Sequence, residues 1–349
     1  MATDTQGKIL TVTGPIEPAD LGKTLIHEHL FFDLSCYFRP PEDERGKSLA
    51  DEPLQLSNLG WVRQNIMSSR PNLVMDDAGV VEAEVGKFQD LGGSALVDQT
   101  IRGIAPNPQG LARVSARTGV RIVAGNGYYI HPSHPPDMDD KTIADIRTEI
   151  IRNVTEGIDG SGIRSGLIGE IGACWPLHPN EEKCIRASAQ AHRETGAPIS
   201  IHPGHSVDSP PTILDILEAE GVDPSRVMMS HIENRNRDEI DLYRRLADRG
   251  CNLSFDSFGR DIYFAYAGRH HPSDDIRVNI ISELVQQGYV GQIYVAQDCS
   301  FKSDLATYGG YGYGHVLENI VPRLKARDVS DDDLDKILVE NPRRFLTMQ

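Results

Sequence analysis

Short apolar or β-branched runs recur along the chain, separated by longer stretches in which apolar residues return every three or four positions. The runs are TLIHEHL (24–30), SALVDQT (94–100), RIVAGNGYY (121–129), SGLIGEIGA (165–173), PISIHPG (198–204), RVMMSHIE (226–233), CNLSFDSFG (251–259) and GQIYVAQDCS (291–300). Runs of this length and composition predict buried strands, and the intervening period predicts amphipathic helices. In residues 76–93, Val80, Val81, Val85 and Phe88 fall at helical spacing, and Gly92 and Gly93 end the pattern. Three further stretches stop at Gly196, Gly221 and Gly250, each shortly before the next run.

Eight strands alternating with helices predict the α/β class and a (β/α)8 TIM barrel. An open sheet is the alternative. The barrel is favoured because the polar residues of interest sit at the C-terminal ends of the runs, all round the series. Residues 7–20 predict a short N-terminal β-hairpin. Residues 31–74 form a long excursion that covers part of the barrel mouth or one end. Neither an internal repeat nor a linker divides the chain, so residues 1–349 are read as one domain.

The net charge of −16 repels phosphate backbones, which argues against a nucleic-acid partner. No run approaches the roughly 20 apolar residues of a membrane span. The five cysteines are scattered with no CxxC pair, and the N-terminus carries no basic-then-apolar leader. Reduced thiols in the cytoplasm fit this pattern.

The chemistry lies at the strand ends. Alternation along the first run turns His27 and His29 to the same side, about 6.6 Å apart at Cα, so that both can converge on one cation. Glu28 then faces the helical layer, where it needs a partner. Glu170 stands in a run otherwise apolar or small, and a lone buried carboxylate is costly unless paired with charge or metal. His202, His231 and Asp298 each follow three or four apolar or small positions. Six such side chains at one face of a barrel predict a metal site. Six ligands exceed one tetrahedral zinc, and a carboxylate can bridge two cations, so two divalent metals are expected: zinc first, with Mn, Fe(II) or Co as alternatives.

This arrangement resembles the amidohydrolase superfamily: HxH after strand one, an acid on strand four, single histidines on strands five and six, and Asp on strand eight. Within it, GKTLIHEHL, GEIGACWPL, IHPG, SH and ENPRRFL are similar to the phosphotriesterase family, in its phosphotriesterase-related branch. The resemblance implies that His27, His29 and Asp298 bind the more buried metal, His202 and His231 the more exposed one, and that Glu170 bridges. The phosphotriesterases proper carry a carboxylated lysine at that bridge, so Glu170 argues against efficient triester hydrolysis.

The expected activity is that of a metal-dependent hydrolase in which a metal-bridging hydroxide attacks a carbonyl or phosphoryl centre and catalytic Asp298 takes the proton. The resemblance implies a small-molecule N-acyl amide of the N-acetyltaurine type. Lactones, carboxylic esters and phosphoesters are the alternatives, and a non-catalytic binding protein fits least. It also implies a homodimer as one assembly state.

Tyr128 and Tyr129 close the third run, and Tyr128 is a candidate substrate contact. Arg260 and Lys302, with Arg235, lie just past strand ends, where a cation could hold an anionic tail. Asp256 could orient His231. Residues 308–315, YGGYGYGH, could line the mouth. Cys299 reads as packing, His205 as solvent-facing, and His270 and His271 as surface residues.

Overall fold

The apolar runs assemble as predicted because each is buried on both faces, one against the lumen and one against a helix. The computed structural model describes residues 5–234, 240–260, 262–264 and 269–349, and Arg235 lies outside them. Eight parallel strands follow one another in sequence order. They are β1 (Thr24–Glu28), β2 (Ala95–Asp98), β3 (Arg121–Asn126), β4 (Leu167–Gly172), β5 (Ile199–His202), β6 (Val227–Met229), β7 (Asn252–Phe255) and β8 (Ile293–Val295). Helices α1 (Ala78–Asp90), α2 (Pro108–Thr118), α3 (Ile143–Thr155), α4 (Pro179–Thr195), α5 (Ser209–Ala219), α6 (Ile240–Asp248) and α7 (Asp274–Gln286) connect them. An eighth helical segment, Val316–Ile320 continued by Val321–Lys325, follows β8, which completes the (β/α)8 order.

Local chemistry sets the helix ends. In α1, the Asp77 side chain accepts from the amides of Gly79 and Val80, and Val81, Val85 and Phe88 are fully buried. In α4, His178 and Glu181 form a reciprocal cap, and Gly196 ends the helix in the left-handed region.

The two ends of the barrel are built differently. At the N-terminal end, the hairpin Ile9–Thr11 with Gly14–Ile16 lies across the opening. The Val12 amide donates to the Ile122 carbonyl at 2.8 Å. At the C-terminal end, several predicted strands stop short of their polar residues: β6 ends two residues before His231, and β8 three before Asp298. Both residues have positive φ, +37° and +50°, which takes them out of the ladder. The excursion after β1 pairs Phe32–Asp33 with Val74–Met75 and brings Leu34, Tyr37 and Met67 over the mouth.

Candidate metal centre

Six polar side chains converge at the C-terminal mouth because irregularities in the strands aim them there. The β1–β2 register shifts between Leu25 and Glu28, an interval that contains His27 and ends one residue before His29. The β4–β5 register shifts between Ile168 and Ile171, around Glu170. Such bulges re-aim side chains next to sites. Gly169 permits the second one: a Cβ there would lie 2.2 Å from the Ser200 carbonyl oxygen. Glu170 ends up among all four imidazoles, at 3.5 Å from His27, 3.4 Å from His29, 3.1 Å from His202 and 3.7 Å from His231. Asp298 Oδ1 lies 3.2 Å from His29 Nε2 and 3.9 Å from His27 Nε2.

The outward atoms of the rings are already engaged. His27 Nδ1 lies 2.9 Å from Asp256 Oδ2, and His29 Nδ1 lies 2.9 Å from Thr100 Oγ1. Asp256 Oδ1 accepts from the His231 amide at 2.8 Å and lies 3.2 Å from His231 Nδ1. Asp256 therefore orients two histidines, where the sequence pointed to one. The Tyr313 hydroxyl donates to the His29 carbonyl at 2.8 Å.

These contacts leave Nε2 of His27 and Nε2 of His29 facing each other at 3.3 Å. Two ring nitrogens at that distance need a proton or a cation between them. The donor set fits a divalent metal: neutral imidazoles held from behind by oxygen acceptors, with carboxylates in front. Two convergent triads occur among the described residues, His27 with Glu170 and His231, and His27 with His29 and Asp298. His202 joins them through Nδ1, 2.9 Å from His231 Nε2.

The electrostatics agree. Burial disfavours a charged His27, but Glu170 and Asp256 outweigh it and hold the ring's pKa well above its usual value. Burial likewise opposes charge on His29, yet hydrogen bonds to Asp298 and Glu170 raise it to about 9. Burial would raise Glu170, but His27 and His202 pull it well below the ordinary carboxylate range. Asp298 is lowered too, against its burial, chiefly by Arg260. Protons thus occupy the places that a cation would take.

The cleft above these side chains is lined by Leu34, Met67, Phe264 and Phe301, with Tyr37 and Tyr129 at one wall. Tyr128 does not reach it. Its hydroxyl is bound to Glu149 and lies 3.3 Å from Arg102 Nη1. Tyr129 faces the cleft instead, its hydroxyl 3.3 Å from His202 Nδ1 and accepting from Tyr37 at 3.0 Å. Past the end of β3 the alternation of faces lapses, so the sequence did not separate the two tyrosines.

Arg260 reaches the cleft, but its guanidinium is committed. It donates to Asp298 Oδ2 at 2.7 Å, to Asp304 Oδ2 at 2.9 Å and to Ser300 Oγ at 2.7 Å. Lys302 stands outside the cleft lining, 5.9 Å from the centre of the Tyr308 ring. His205 is an exposed residue at the rim. His271 corrects its reading as a surface residue: it is buried, lines the cleft and packs on Phe264, with ring centres 4.2 Å apart. Cys299 is buried. Thr100, which holds His29, carries no sequence signal, and Tyr313 of the 308–315 stretch is buried behind His29 and does not line the cleft.

The chain is similar to known proteins along nearly its whole length. The model of the phosphotriesterase family matches residues 7–346. An N-acetyltaurine hydrolase of Xenopus tropicalis is 38% identical over 346 residues, covering 98% of this chain and 99% of that protein. A resiniferatoxin-binding protein from Rhodobacter sphaeroides superposes with a TM-score of 0.96 at 37% identity, covering 99% of this chain and 97% of the other. A lactonase from Listeria monocytogenes gives 0.80 at 25% identity, covering 98% and 99%. Together with the buried histidine and carboxylate cluster, these likenesses show that the chain belongs to the phosphotriesterase family and is a hydrolase.

Proposed function

We propose that the chain hydrolyses a small N-acyl amide of the N-acetyltaurine type at a two-metal centre held by His27, His29, Glu170, His202, His231 and Asp298. The carrying observation is that one carboxylate, Glu170, lies within 3.1–3.7 Å of four imidazoles. A bridging ligand of two cations needs that position. Two divalent cations, zinc first among the candidates, would supply an acidified water and a Lewis acid for the scissile carbonyl.

The protein's own groups do the rest. Asp298 has one oxygen tied to Arg260 and the other turned to the histidines. The oxygen turned to the histidines accepts the proton of the attacking water and returns it to the leaving nitrogen. Tyr129 receives a hydrogen bond from Tyr37 and keeps its own proton to donate towards the acyl oxygen. Leu34, Met67, Phe264 and Phe301 exclude water around a short acyl chain.

A lactone or carboxylic ester is the second reading. Its favouring observation is that Arg260, a cation suited to an anionic tail, is neutralised by Asp298 and Asp304. The test is turnover of N-acetyltaurine, a γ-lactone and a phosphotriester, before and after chelation. Hydrolysis of the amide that chelation abolishes supports the first reading. Turnover of the lactone with the amide untouched replaces it by the second.

A further inference from the structure

Glu28 stands between two histidines of the centre, yet it faces away from them and is fully buried. A buried carboxylate needs donors. It finds them across the seam where the first strand meets the last: Oε1 accepts from the Gln297 amide at 2.8 Å and Oε2 from the Cys299 amide at 3.0 Å. The amide between them, that of Asp298, donates to the His27 carbonyl at 3.1 Å. Three consecutive amides are thus held by two consecutive residues.

Asp298 has φ of +50°, a conformation that costs a non-glycine residue free energy unless its surroundings impose it. A left-handed residue turns the amides on its two sides towards a common anion, the arrangement called a nest. Here the acceptor is a side-chain carboxyl group of the protein itself. We propose that Glu28 is the positioning residue for Asp298: its two carboxyl oxygens are the acceptors around which residues 297–299 fold, and that fold points the Asp298 side chain at the His29 side of the centre. Arg260 secures the same residue from the other side, through Oδ2 and the backbone carbonyl. The inference rests on the metal-hydrolase reading and extends it to how one ligand is held.

The test compares the parent with Glu28→Gln. Glutamine keeps the length and one acceptor but turns an N–H towards the second amide. The expected result is amide exchange at 297–299 faster by at least about tenfold. Cobalt(II) titration should show one of two equivalents weakened by about 10–100-fold, with an altered visible spectrum. With N-acetyltaurine as probe, kcat should fall while KM stays within about threefold, and Glu28→Asp should fail to restore it because it cannot span both amides. Parent-like exchange and two cobalt equivalents of parent affinity in Glu28→Gln would overturn the proposal. If neither variant folds, the parent decides: slow exchange of the Gln297 and Cys299 amides supports the clamp, and fast exchange rejects it. If the parent takes up no cobalt, the metal reading fails by itself, while the exchange comparison still judges the clamp.

Discussion

Two buried arginines, Arg226 and Arg260, lie at opposite ends of the barrel and are held in opposite ways. At the N-terminal end, the Arg226 guanidinium donates to three backbone carbonyls, those of Gly196, Arg344 and Thr347. Burial pushes its pKa down to about 10. At the C-terminal end, Arg260 sits between the carboxylates of Asp298 and Asp304, and these raise its pKa against the same burial. The first arginine ties the chain terminus to the barrel using neutral partners. The second is part of a charge network that runs through Asp298 to the histidines. For these two arginines, carbonyl partners mark a structural tie and convergent charges mark the site.

Replacing each arginine sharpens that contrast. Arg260→Met leaves buried Asp298 and half-buried Asp304 without their cation. A stability loss of about 3–5 kcal/mol is expected in denaturant titration, together with a fall in kcat/KM. Parent-like activity in a folded Arg260→Met variant would break the comparison.

The pH dependence comes next. His29 has a folded pKa of about 9 against an ordinary value of 6.5. Its contribution to the metal-free fold is therefore complete below pH 6.5 and is lost as pH rises through 9. The loss amounts to about 3 kcal/mol at 1.36 kcal/mol per unit. Metal-free protein should melt at lower temperature at pH 9 than at pH 6.5. Metal-loaded protein should not, because cation binding replaces the proton.

Asp256→Asn should weaken metal binding by about 10–100-fold, since one amide oxygen cannot serve two imidazoles as acceptor. Equilibrium dialysis with zinc measures it. The smallest expected effect is at the other end. Arg226→Met should cost about 1–3 kcal/mol by stranding carbonyls, with metal content and kcat/KM unchanged. An activity loss there without a stability loss would show that the N-terminal end is not merely a tie.

The fold was legible because the period of the apolar pattern reports burial directly, and all eight runs became strands. The six candidate donors were legible for a related reason: a His or carboxylate in an apolar run is costly, and a few such residues stand out. Their partners were legible only in part: Asp256 was expected beside His231 and lies there, but the other contacts were not foreseen. Thr100 reaches His29 and Asp256 reaches His27 across 71 and 229 positions of chain, distances that no local pattern encodes. Glu28 was expected to face the helical layer, and its donors are instead the amides of residues 297 and 299, brought alongside only when the barrel closes. Arg260 was read as a free cation because its two carboxylates, Asp298 and Asp304, lie 38 and 44 positions away. His271 follows a polar loop sequence, which gave no sign of its burial against Phe264.

The central claim is a two-metal centre built on Glu170. It is tested most directly by elemental analysis of protein purified without chelator, alongside Glu170→Ala and His202→Ala. The parent should hold about two equivalents of divalent metal, and both variants clearly fewer. One equivalent or none in the parent, unchanged by either substitution, would contradict it.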